Sequence, residues 1–188
     1  MLKIKNITKD YGNGKVLDGF SMNCPDTGIV ALMGASGIGK TTLFNIIVDI
    51  EQADSGEIES TFKKISYKFQ EPRLLDWLTA HENIEAVLPA DRKNEAVKWL
   101  EAVELADSRN KYPHELSGGM QQRVALARAL AYQGDLLLLD VPFSALDIDT
   151  KHILIELIKD YSKSHAIIVV THDISEAEAL NADIITIR

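Results

Sequence analysis

Only one cysteine, Cys24, occurs in the 188 residues of the chain. It permits no internal disulfide and no cysteine-rich metal site, and it fits a reducing, intracellular compartment. No apolar run approaches the ~18 residues of a membrane-spanning helix. The longest, LLLL (136–139) and AIIVV (166–170), have the length of buried strands. The opening residues, MLKIKNITKD, lack the apolar core of a signal peptide. Basic residues are in the minority: 20 Lys and Arg against 28 Asp and Glu leave a net charge of −8. Such a balance disfavours general binding to nucleic acid, and no nucleic-acid partner is expected, although local basic spots can still hold phosphates. Internal repeats, low-complexity tracts and flexible linkers are missing too. What is present is ordinary for a globular protein: 46% of residues are hydrophobic. A chain of this length buries roughly 70% of its unfolded surface, enough for one domain or one core with a small inserted lobe.

The pattern along the chain is α/β. Leu2–Ile7 and Val16–Met22 read as strands separated by the turn-rich Tyr11-Gly12-Asn13-Gly14. IVALM (29–33) reads as a short buried strand that runs through a glycine-rich loop into a helix over Thr41–Ile50. Ile58 and Ile65–Phe69 mark further strand segments. From about residue 76 to 132 the character becomes helical. Ala96, Val97, Leu100 and Val103 share one helical face, and Ser117 is placed to cap a helix whose apolar side includes Met120, Val124, Ala127 and Ala131. Strands and helices then alternate. LLLL leads to a helix with Ile153, Leu154, Leu157, Ile158 and Tyr161 on one side, then to AIIVV, a short helix near Ser175–Leu180 and DIITI (183–187). This alternation predicts a largely parallel sheet covered by helices. The helical block becomes an insertion: a core of 1–75 and 134–188, and a lobe of 76–133.

Gly34-Ala35-Ser36-Gly37-Ile38-Gly39-Lys40-Thr41 matches GxxxxGK[ST] in full, after a buried strand and before a helix. The glycines let successive N–H groups turn inward toward phosphate oxygens, and the helix start adds its positive dipole end. Lys40 is predicted to reach the β- and γ-phosphates, and the Thr41 hydroxyl to bind Mg²⁺. Thr42, the next residue, is counted with this phosphate-binding set. Asp140, directly after LLLL, is the candidate for a second Mg²⁺ group.

With these residues in hand, the chain resembles the nucleotide-binding subunits of ATP-binding cassette (ABC) transporters. LSGGMQQRVALARAL (116–130) is similar to the family signature, and the order phosphate loop, Gln70, signature, Asp140, SALD (144–147), His172 fits the family nearly end to end. The resemblance implies a P-loop NTPase core with N-terminal antiparallel strands, ATP and Mg²⁺ as ligands, and ATP hydrolysis. It implies that Tyr11 stacks on adenine with Val16 beside it. Gln70 contacts Mg²⁺ or the attacking water. Ser117, Gly118 and Gly119 close over the γ-phosphate held by a second copy, His172 contacts that phosphate, and Asp147 lies at the dimer interface. Partners would be a second ATPase subunit, identical or related, in a head-to-tail dimer, and an integral membrane permease on the cytoplasmic side of the membrane. QEPRLLDWLTAHENI (70–84) is most similar to importers of the nitrate, sulfonate and taurine group. There Leu74, Leu75, Trp77 and Leu78 would either dock permease helices or pack the lobe internally. Trp77 and Trp99 read as packing aromatics; His81, His114, His152 and His165 match no motif.

Two departures stand out. The family places a glutamate after the metal aspartate, to polarise the attacking water; here the text is LLLLDVPFSALD and the residue is Val141. Valine can take no proton, and loss of a positioned general base costs ~10²–10⁴ in rate. Loss of a carboxylate near the γ-phosphate also lessens repulsion of the bound anion. Slow turnover follows, with His172 or Gln70 left to position water. The substitution is equally in keeping with a change that traps ATP, with a competent partner in a heterodimer, or with slow hydrolysis by another base. The second departure is length: subunits of this type usually continue past the last strand, so the resemblance implies a compact member or a truncated chain.

Overall fold

The computed structural model describes residues 1–12 and 14–187; Asn13, in the expected turn, and Arg188 lie outside the described residues. The described residues form two sheets. β1 (Leu2–Asp10) is flanked by β2 (Lys15–Cys24) and β4 (Ser55–Ser60), both antiparallel to it. The second sheet is wholly parallel, in the order β5 (Ile65–Lys68), β6 (Leu136–Asp140), β7 (Ala166–Val170), β3 (Gly28–Met33), β8 (Asp183–Thr186). The three central strands are apolar, apart from Asp140 at the end of β6, because they are covered on both faces. Alternate side chains enter different cores. Val30, Leu32, Leu136, Leu138, Ile168 and Val170 face the antiparallel sheet across α1 (Lys40–Ile47), which buries Leu43, Phe44, Ile46 and Ile47. Ala31, Leu137, Leu139, Ile167 and Val169 face the other helices.

Helix α1 stops three residues before the predicted Ile50. Val48 caps it, and Asp49 turns into the left-handed region at φ 58°. Between β5 and β6 the described chain carries only helical elements: α2 (Ala80–Glu85), α3 (Ala96–Ala102), α4 (Gly118–Ala131) and short 3₁₀ turns at 90–95, 106–108 and 113–115. Thr79 starts α2 with a capping box: it accepts from the Glu82 amide while the Glu82 carboxylate accepts from the Thr79 amide. Ser117 caps α4, accepting from the Met120 amide at 3.3 Å. Ala96, Leu100 and Val103 of the predicted face are fully buried. After β6, α5 (Ile148–Ser162) buries Leu154 and Ile158. Ile153, expected on the same side, is 39% exposed, because the helix keeps a narrower apolar stripe than the sequence offered. A short α6 (Ile174–Ala179) precedes β8. Trp99 is buried, whereas Trp77 is not a packing residue: it is 73% exposed.

Candidate active site

In an open parallel sheet the carboxyl ends of the strands all point one way, and ligands bind beyond them. A cleft of about 480 Å³ lies there. Its wall includes Gly34, Ser36, Gly37, Gly39, Lys40, Thr41 and Thr42 from the loop after β3 and the start of α1. Gln70 joins it from beyond β5, Asp140 and Val141 from the end of β6, and Val170 and His172 from the end of β7. The carboxyl ends of four strands, β3, β5, β6 and β7, are thus gathered by one sheet.

The loop needs its glycines at two places. Gly39 has φ 97°, and a Cβ there would run into the Val16 carbonyl and the Leu17 side chain. Gly34 has φ 152°, with the Ile187 carbonyl 2.9 Å from where a Cβ would sit. The Lys40 ammonium lies across the loop and donates to the Gly34 and Ala35 carbonyls, each at 2.7 Å. Burial holds its pKa below the ordinary lysine value, against the opposing field of Asp140. Ala35 and Ile38, inside the motif, are not on the cleft wall, and Ile38 packs against the core.

Asp140 is 1% exposed. Its Oδ2 accepts from the Thr41 hydroxyl at 2.7 Å, while Oδ1 is buried without a hydrogen-bond partner. Burial raises its pKa, and the Thr41 hydroxyl, Lys68 and Lys40 act in the opposite direction. A buried carboxylate oxygen left bare beside a threonine hydroxyl suits a hard divalent cation. Among the described residues no group of three or more His, Cys, Asp or Glu could hold a metal unaided, so phosphate oxygens would have to complete its shell. Val141 follows at φ 46°, its amide donating to the Val170 carbonyl at 3.1 Å.

His172 is exposed on a well-braced turn. The Thr171 hydroxyl donates to Glu176 at 2.6 Å and accepts from the Asp173 amide at 3.1 Å; Lys151 of α5 pairs with Glu176 at 2.7 Å. The remaining sequence candidates stand elsewhere. Tyr11 is 53% exposed and off the cleft wall. Its hydroxyl donates to Glu51 and lies 3.4 Å from that of Thr42, which is on the wall. Val16 is off the wall too; its carbonyl lies behind Gly39. Ser117, Gly118 and Gly119 are not on the wall either; Gly119 abuts Ala145, whose carbonyl is 2.6 Å from its would-be Cβ. The Asp147 carboxylate caps α5, accepting from the Thr150 amide and hydroxyl at 2.9 and 2.8 Å. The structure therefore gathers eleven of the nineteen candidate residues on the wall of one cleft and leaves the signature residues off it.

Three residues that sequence reading passed over bind these pieces together. Gln122 of α4 donates to the Gln70 carbonyl at 2.9 Å. Arg128 of α4 donates to the Pro72 and Arg73 carbonyls at 3.0 and 2.9 Å. Lys68, next to the cleft, donates to the carbonyls of Asp140 and Val141; burial pushes its pKa down to about 8, with Asp140 opposing. An amphipathic reading of α4 marks Gln122 and Arg128 only as polar-face residues, and nothing local marks Lys68.

A family model described as "ABC transporter" matches residues 17–144. The chain belongs to the ABC transporter family. This ABC chain is 41% identical over 179 residues to the aliphatic sulfonates import ATP-binding protein SsuB 2 of Pseudomonas syringae pv. syringae, covering 94% of the chain and 65% of that protein. It is 38% identical over 196 residues to SsuB of Pseudomonas putida, covering all of the chain and 73% of that protein. The chain thus spans about two thirds to three quarters of these relatives' length. Among solved structures, the ATP-binding cassette MJ0796, dimeric and bound to ADP and Pi in a post-hydrolysis state, superposes with a TM-score of 0.91 at 33% identity. That match covers 100% of this chain and 94% of that one. A second dimeric MJ0796 structure, described as a bacterial ABC transporter cassette, gives 0.89 at 32% identity over the same shares of the two chains. The fold is that of an ABC ATP-binding domain, a P-loop NTPase cassette.

Proposed function

We propose that this ABC chain is the ATP-binding, slowly hydrolysing subunit of a membrane importer, of the kind its sulfonate-import relatives are named for. The observation that carries the reading is the single cleft that joins the Gly34–Thr42 loop to Gln70, Asp140, Val141 and His172. The backbone amides of the loop and the start of α1 would hold the phosphates, with Lys40 exchanging its loop carbonyls for phosphate oxygens. Thr41, Asp140 and Gln70 would hold Mg²⁺, which supplies charge neutralisation to the phosphates when bound. Tyr11 would stack on adenine at the rim near Thr42. Ser117, Gly118 and Gly119, absent from this chain's own cleft, would cover the nucleotide of a second ATPase subunit, identical or related, with Asp147 between the two. ATP then favours the paired state, and hydrolysis loosens it.

Val141 gives the reading its particular form. A valine cannot accept the water's proton, so turnover is slow and the ATP-bound pair long-lived. Residues 76–133 act as the lobe that carries the signature, and the exposed Trp77, seven residues after Gln70 in the chain, offers an apolar anchor for a permease helix. Leu74 instead packs into the lobe's core. The working location that follows is the cytoplasmic face of a membrane. The substrate is selected by the permease.

Steady-state phosphate release by this chain and by Val141→Glu tests the reading. The glutamate variant is expected to turn over ~10²–10⁴ times faster. Equal rates in both would remove the role assigned to position 141. The same residue favours one alternative reading, a regulatory subunit that clamps on ATP: it predicts ATP-induced pairing with no gain in phosphate release from Val141→Glu.

A further inference from the structure

Among the described residues, Lys68 is the one basic side chain that is buried, at 1% exposure. It belongs to a strand whose alternation points it into the interior. Burying an ammonium group is costly unless its donors are met. Here two of its three donors are met by main chain: the carbonyls of Asp140 at 3.1 Å and of Val141 at 3.3 Å. An apolar residue would occupy the same space without that cost; what lysine adds is the two bonds and a positive charge close to the Asp140 carboxylate.

Their location is specific. The β5–β6 ladder ends at Lys68↔Leu139, while β6 continues one residue further along β7, at Asp140↔Val170. Beyond that point β5 leads to Gln70, and β6 leads to Asp140 and Val141. The ammonium spans the gap where the two strands stop bonding. It also grips both carbonyls of a turn whose second residue, Val141, is β-branched at φ 46°, a conformation that persists only where its surroundings hold it.

We propose that Lys68 is a positioning residue for the Mg²⁺-nucleotide complex: by tying the Asp140–Val141 turn to the end of β5, it fixes the Asp140 carboxylate relative to Gln70. The inference rests on the reading of Asp140 and Gln70 as the cation-holding residues. The groups that bind phosphate directly, in Gly34–Thr41, are not among its partners. Its effect therefore falls on the Mg²⁺-dependent part of nucleotide affinity.

The test is ATP binding to the full chain and to Lys68→Met, measured with Mg²⁺ and with EDTA, together with amide hydrogen exchange in the absence of nucleotide. Removal of a group that orients a metal ligand lowers affinity roughly 10- to 100-fold. That loss is expected for ATP with Mg²⁺, while affinity in EDTA stays within about twofold of the unsubstituted chain. Exchange at the Val141 amide is expected to accelerate, with the amides of β3 unchanged. Lys68→Gln, which keeps an amide donor, should recover part of the loss, and it carries the same comparison if Lys68→Met does not fold. Equal losses with and without Mg²⁺ would assign Lys68 a general structural role and overturn the proposal, as would unchanged binding. Failure of the unsubstituted chain to bind ATP in either condition would instead defeat the functional reading, and this inference with it.

Discussion

At position 141 a side chain with no polar atom stands on the cleft wall, in a backbone conformation that β-branched residues rarely adopt. Holding valine there costs roughly 1–3 kcal/mol. The Val141 amide's bond to Val170 and the Lys68 bond to the Val141 carbonyl restrain the turn. Glutamate is unbranched at Cβ and relieves part of that strain, so urea unfolding of both chains must accompany the Val141→Glu comparison to separate stability from chemistry. Cys24 provides a contrast: burial pushes its thiol up to about 12, and the side chain is 1% exposed. Only the thiolate reacts. Iodoacetamide at pH 8 is therefore expected to label the folded chain more than about 100-fold more slowly than the urea-unfolded chain. Comparable rates would show that β2 opens readily. The phosphate loop was legible residue by residue because its chemistry resides in the backbone of consecutive positions. Lys68 was not, because the carbonyls it serves begin 72 residues further along.

The elements that carry the site differ in how they are anchored. α1 needs no side-chain cap; Gly39 opens it at φ 97°, and its first turn faces the cleft. α2 depends on the Thr79–Glu82 capping box. Thr79→Ala is expected to lower stability by about 1 kcal/mol in urea unfolding, with faster hydrogen exchange over Ala80–Glu85 and none over β3. A uniform rise across the chain would mean that the helical segment does not open on its own. α4 is the element that ties most to the cleft. Gln122 and Arg128 donate to carbonyls of Gln70, Pro72 and Arg73, so the helix opening at Ser117 is bonded directly to the loop bearing Gln70. Periodicity marked the α4 core face, because burial imposes a period. It was silent on these polar contacts, since a glutamine reaching a distant loop and one in water look alike in sequence.

On the scale of the whole molecule, the signature turn at Ser117–Gly119 is not on the wall of the cleft, and in the proposed reading a second subunit brings the two together. On the proposed slow turnover, ATP and Mg²⁺ are expected to shift the chain from monomer to dimer in sedimentation velocity, and ADP to leave it monomeric. Ser117→Arg, at an exposed helix cap, should abolish the shift while leaving ATP affinity of the monomer within about twofold, because the phosphate loop is untouched. Pairing that survives this substitution would place the contact elsewhere. The amino-acid order by itself determined the α/β class, the parallel sheet and the phosphate loop, because hydrophobic period and consecutive backbone groups are local properties. Tertiary structure alone decided which distant groups share the cleft, that one oxygen of Asp140 is left bare inside it, and that a buried lysine braces the turn beside it. Those facts depend on strand order and on where each strand ends, and neither is written in any short stretch of chain.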